Sequence, residues 1–179
     1  MKIEGKKHPY ELKLYSPDDP DFIEHHRFKY PYDDKKDGLE KDFLVVTALD
    51  YLCFVHKGNR PSPVSGRILT DQFEFPLSYL KWFIAVLTRF QLLPAQGGYP
   101  AGQFSDSLQL DEENWLYVQR GQSYPLDGRF GYRLENRQRH SYIDSDIRQG
   151  IYITDEYLFD HGLMEALTRI QQAYEDGEL

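Results

Sequence analysis

The feature that most restricts how this chain folds is an apolar stretch held between two prolines. Residues from about 77 to 92 place Leu80, Phe83, Ile84, Leu87 and Gln91 on one stripe at helical spacing. Tyr79, Trp82, Val86 and Phe90 lie on its flank. Pro76 suits a first helical turn, where its missing N–H costs nothing, and Pro94 marks the stop. A helix apolar most of the way round has to be covered, by other elements of the domain or by a second subunit, and central burial is the commoner outcome. Trp82 is accordingly expected to be buried.

The rest of the chain has the material for that cover. Its 179 residues suit one domain, at roughly 100–200 residues each. The apolar set is 40%, with 14 Tyr, 11 Phe and 2 Trp, which excludes a disordered chain. The densest apolar run, Trp82 to Leu87, is far shorter than the roughly 20 residues a bilayer needs, so no membrane partner is expected. The N-terminal residues mix acid and base without an apolar core, so no secretory signal is expected.

Residues 1–42, broken by Pro9, Pro17, Pro20 and Pro31, read as an irregular lead-in with one short strand at 10–15. Residues 43–56 are rich in Phe, Val, Thr and Tyr and read as extended, with a break at Asp50, although the Leu44, Ala48, Tyr51, Val55 spacing also fits a helix. A turn at 57–63 and a short strand at 67–70 follow. The Pro- and Gly-rich segment 94–107 divides the chain. Strands are then expected at 115–119, 129–136 and 151–154, and a second main helix at 161–174, N-capped by Asp160. The fold class is α+β: a single compact domain over 43–179, with antiparallel strands in two groups, two main helices and halves at 43–93 and 108–174.

Two pairs of segments resemble each other. Leu69 to Phe75 matches Ile153 to Phe159, sharing Thr, Asp and the final Phe, and Leu87 to Gln91 matches Leu167 to Gln171. The offset drops by four residues between the pairs, close to one helical turn, so the helix faces stay nearly aligned. An internal duplication explains this; a chance match in a chain rich in Leu, Phe and Tyr is the competing explanation. A sheet-then-helix unit used twice resembles, in topology alone, the Whirly and Pur-type folds, which bind single-stranded nucleic acid. No family motif aligns with them, and fold likeness does not by itself carry function.

The net charge is −8, which argues against a protein that lives on nucleic acid. The distribution is uneven. Residues 118–150 carry six basic and four acidic groups, whereas residues 151–179 carry one and seven. The lone Cys53, among apolar neighbours, forms no internal disulfide and reads as a buried thiol, which suits a reducing cytoplasmic setting.

Catalytic motifs are sparse. Residues 97–102 lack the spacing of a phosphate-binding loop, and neither a G-x-S-x-G elbow nor a C-x-x-C is present. Asp21, Glu24, His25 and His26 cluster, but adjacent histidines project apart, so neither a metal nor a cofactor is expected. His140 with Asp144 or Asp146 fits a base and its orienter, with Arg139 stabilising an anion; a polar hairpin connection accounts for the same residues.

The remaining signal is a face. On a strand at 129–137, Arg129, Gly131, Arg133, Glu135 and Arg137 line one side, while Phe130, Tyr132, Leu134 and Asn136 line the other. Such arginines, with Tyr142 and Tyr152 near, suit phosphates and stacked bases, an acidic protein, or internal carboxylates. The residues put forward for binding are Arg129, Arg133, Arg137, Arg139, His140 and Tyr142. Charge and the lack of motifs favour a non-catalytic intracellular protein, monomeric rather than dimeric. It would engage another protein through an acidic surface, as an inhibitor, immunity protein or antitoxin does. Single-stranded nucleic-acid binding through residues 129–148 is the alternative, and a small hydrolase centred on His140 the second.

Overall fold

A computed structural model describes residues 12–29, 41–58, 70–122, 129–142 and 147–179. Strands β1 (Phe22–Lys29), β2 (Lys41–Ala48), β3 (Tyr51–Gly58) and β4 (Thr70–Pro76) form an antiparallel sheet in chain order. A 3-10 turn, Leu77–Tyr79, leads from it into helix α1 (Leu80–Gln91). Strands β5 (Ser105–Gln109), β6 (Trp115–Gln122), β7 (Phe130–His140) and β8 (Arg148–Thr154) form a second sheet, also in chain order. Helices α2 (Asp155–Phe159) and α3 (Leu163–Glu175) follow it. The fold is therefore α+β, with two groups of antiparallel strands and two main helices.

The ambiguity over residues 43–56 has a physical origin. In β2, Phe43 and Val45 face the main core, while Leu44, Val46 and Ala48 face a second cluster, and all five are buried. A strand buried on both faces loses the alternation that marks most strands. The break falls where expected. Ala48 pairs with Tyr51, so Leu49 and Asp50 form a two-residue turn with Leu49 in the left-handed region at φ 52°.

Helix α1 meets both sheets. Phe83 packs edge-on against Phe75 at 5.5 Å and near Phe54 at 6.3 Å, whereas Phe90 lies 5.9 Å from Tyr132 of β7. Leu80, Phe83, Val86 and Leu87 are buried, and α3 packs against α1 and β1. Trp82 is only half-buried, because it sits on the flank of the stripe rather than at its centre. Among the described residues, no helix is long and apolar enough to cross a membrane.

Several boundaries need correction. Residues 12–15 of the strand expected at 10–15 are not extended into a sheet, and residues 10–11 lie outside the described part; the strand of this region is β1, whose polar run Glu24-His25-His26-Arg27 hid it. β5 lies within and just past the expected 94–107 loop; Gly and Pro end before Ser105. Of the strand expected at 67–70, only Thr70 is described, and it opens β4. Asp160 ends α2 rather than capping the last helix, because Thr154 caps α2 through its side chain and Gly162, at φ 71°, precedes α3.

The matched segments behave differently. Thr88 and Thr168 each donate a hydroxyl hydrogen bond to the carbonyl four residues back, at 2.9 Å, in α1 and α3. By contrast, the segment after Thr70 is strand, and the one after Thr154 is helix.

Candidate functional site

Alternation in β7 sends its residues to opposite sides, as the sequence predicts. Tyr132, Leu134 and Asn136 are buried, while Arg133 is exposed and Glu135 and Arg137 are partly exposed; Phe130, expected on the inner side, is 56% exposed at the start of the strand. The register then assembles a face. Arg133 lies opposite Gln119 of β6 and Tyr152 of β8, and Gln119 lies opposite Ser105 of β5. Glu135 lies opposite Tyr117 and Gly150. Trp115, two residues before Tyr117, shares that side of the strand. Each inward neighbour of these positions (Leu116, Val118, Ile151, Ile153) belongs to the main core. The outer side thus carries Trp115, Tyr117, Tyr152, Arg133, Arg137 and short polar residues.

Its arginines are arranged, not loose. The Arg137 guanidinium lies 3.8 Å from the Tyr117 ring centroid and 5.0 Å from that of Trp115. Glu135 sits between the two arginines, ion-paired to Arg133 and 3.7 Å from Arg137 Nε. Arg133 leaves 50% of its side chain exposed and Glu135 only 17%, so the pair is part-buried, with the guanidinium on the solvent side. Arg129 lies at the end of the face and pairs at 2.6 Å with Glu156 of α2. Gly131 admits no side chain there, since a Cβ would fall 2.3 Å from the Ile153 carbonyl oxygen. A groove of about 310 Å³ opens at the β8 edge between Arg133, Glu135, Ser141, Arg148, Gly150 and Tyr152.

Arg139 and Tyr142 belong elsewhere. The β7–β8 register shifts between Asn136 and His140, and this bulge turns Arg139 inward. It is 4% exposed, pairs with the fully buried Glu74 of β4, and donates from Nε to Asn114 Oδ1 at 2.9 Å. The Tyr142 hydroxyl lies 2.8 Å from the Leu12 carbonyl oxygen and 3.1 Å from both Glu74 oxygens. Burial, and then Glu74, push its pKa up. Gln72 joins the cluster by donating to Glu74 at 2.8 Å and accepting from the Tyr15 amide at 2.8 Å. These contacts fasten residues 12–15 over the first sheet, a structural role. Cys53 lies beneath them, and burial raises its thiol pKa well above normal.

His140 Nε2 lies 2.9 Å from Arg148 Nη1 at the rim of the groove. Asp144 and Asp146, the partners considered for it, lie outside the described residues. His25 and His26 diverge as adjacent residues on a strand do: His25 meets Thr47 Oγ1 at 2.8 Å, and His26 meets the His161 carbonyl oxygen at 2.6 Å. Among the described residues, no group of three His, Cys, Asp or Glu side chains is placed to hold a metal ion.

A second concavity, of about 620 Å³, lies between the β2–β3 turn and the segment before β6. Leu49, Asp50, Tyr51, Pro76, Asp111, Glu112, Glu113 and Asn114 line it, with four carboxylates and, among the described residues, no lysine or arginine. The sequence pointed to an acidic surface without locating it, because its halves are some 60 residues apart and meet only through the fold. Trp115 and Tyr117 were likewise missed as site residues; their period-two spacing in β6 was the available signal. No family model, curated protein or solved structure matches the chain.

Proposed function

We propose that this is a binding protein whose open second-sheet face engages single-stranded nucleic acid. The observation that carries the reading is the assembly of Trp115, Tyr117 and Tyr152 with Arg133 and Arg137 on the sheet face turned from the core. Aromatic rings and guanidinium planes give bases a stacking surface, and the guanidinium charge meets the backbone. A pleated face reads splayed bases more readily than a paired duplex, whose bases are stacked inside. The whole-chain charge of −8 is a sum over the surface, whereas binding depends on the local field. The lone buried cysteine suits a reducing compartment.

The test is fluorescence anisotropy of a labelled single-stranded oligonucleotide at low salt. Wild type is expected to bind, and Trp115→Ala and Tyr117→Ala each to lose about 1–3 kcal/mol, the usual contribution of one stacked base. Equal affinity for a duplex of the same sequence, or undiminished binding by both variants, would overturn the reading.

A second reading is supported by the acidic concavity. Its four carboxylates and the 69% exposed Leu49 suit a basic protein segment with an apolar anchor, as an inhibitor, immunity protein or antitoxin would offer its target. The two separate cleanly. Asp50→Asn with Glu112→Gln abolishes capture of such a partner and leaves oligonucleotide binding intact.

A further inference from the structure

The groove at the β8 edge has the composition of an anion site that already holds an anion. Arg133 and Arg148 supply two guanidinium groups, and Tyr152 supplies an aromatic wall. Gly150, opposite Glu135, leaves the floor open: a Cβ there would sit 3.8 Å from Glu135 Cγ and 3.3 Å from the Leu134 carbonyl oxygen. Against the arginines stand Glu135 and, from β4, Asp71. Two positive charges thus face two negative ones. Glu135 differs from Asp71 in its position, because its carboxylate lies between Arg133 and Arg137 and addresses both.

We propose that this groove is the phosphate site of the open face and that Glu135 occupies it in the unbound protein. The Glu135 carboxylate stands where a backbone phosphate of the single strand sits, so ligand binding exchanges one anion for another on Arg133. A phosphate presents more acceptor oxygens than a carboxylate, and guanidinium meets it in the same forked geometry. The exchange keeps the arginines oriented when no ligand is present and sets the affinity below what they alone would give. This inference rests on the single-strand reading above.

Glu135→Gln tests it, since the amide keeps the shape and removes the charge. Anisotropy titrations of a labelled single-stranded oligonucleotide are expected to show binding about fivefold tighter than wild type, the gain when an ion pair worth about 1 kcal/mol no longer has to be broken. The log–log salt dependence is expected to steepen, because the displaced Glu135 carboxylate of wild type takes up a cation on binding and the amide does not. Adding Arg133→Gln to Glu135→Gln is expected to remove both gains, and an unchanged thermal midpoint to show that the fold is intact. Wild-type binding with Glu135→Gln equal to it or weaker would overturn this proposal and leave the face itself standing. No retention of the strand by either protein at low salt would overturn the reading of the face.

Discussion

In the first half of the molecule, one sheet face carries Leu44, Val46, Ala48, Tyr51, Cys53 and Val55, and Leu12 and Tyr15 pack onto it. In the second half, the side of the sheet turned from the core carries Trp115, Tyr117, Arg133, Arg137 and Tyr152, each at least partly exposed. In both halves four antiparallel strands pair in chain order and lead into helix. What differs is the chemistry of every second residue. Where both faces of a strand are apolar, the sheet becomes interior scaffold; where one is polar and aromatic, that face stays at the surface. Topology therefore does not fix the role of either half, and the alternation within β2 and β7 does.

The sharpest way to break this contrast is to remove one arginine from each environment. Arg139→Ala leaves Glu74 buried without its guanidinium partner and is expected to cost about 3–5 kcal/mol. Arg133→Ala, on the open face, is expected to change stability by no more than about 0.5 kcal/mol. Urea unfolding of both variants measures the difference. Equal losses would mean that the two arginines occupy the same kind of environment. Replacing Glu74 and Arg139 together by Leu and Met is expected to recover most of the loss, because no buried charge remains unpaired.

The apolar side of the contrast is next in size. Leu44→Ala, in the closed face, is expected to cost about 2–5 kcal/mol. Tyr117→Ala, at a comparable place in the open face, removes a half-exposed ring and its stacking on Arg137 and is expected to cost about 1 kcal/mol. Thermal and urea denaturation report both. A Tyr117 variant as damaged as the Leu44 variant would show the second face to be covered.

A smaller effect concerns the edge of the first sheet. His25 is held below the usual histidine pKa, chiefly by burial and then by Arg169. The unfolded chain takes up the proton first as pH falls, so the folded state loses stability from about pH 6.5 downward towards the depressed folded value. Unfolding measured at about pH 7.5 and about pH 5.5 is expected to show this loss, and His25→Gln to reduce it. A His25→Gln variant with the wild-type pH dependence would place the titration elsewhere.

These regions were unequally legible in the sequence. β7 alternates between Tyr132, Leu134, Asn136 and Arg133, Glu135, Arg137, so its two faces follow from period two alone. The main helices were legible from Leu80, Phe83, Leu87 and from Leu163, Leu167, Ile170 at 3.6-residue spacing. Arg139 was not, because parity puts it with Arg137 and only the bulge before His140 turns it inward. Nor was Glu74, an acid whose burial depends on Arg139 of β7 and on Tyr142 just beyond that strand. Alternation is local and survives in the sequence; a bulge and a long-range ion pair depend on partners that only the fold brings near.

The open face as a recognition surface is the claim on which the rest depends. The direct measurement is the salt dependence of single-strand binding by wild type and by the Arg133→Ala, Arg137→Ala double variant. Wild type is expected to bind at low salt, with the log–log slope falling by about 1.4 in magnitude when both arginines are removed, at about 0.7 for each phosphate no longer neutralised. The fold of the double variant is expected to stay intact. Binding with the same affinity and slope in both proteins, or none in wild type at low salt, would contradict that claim.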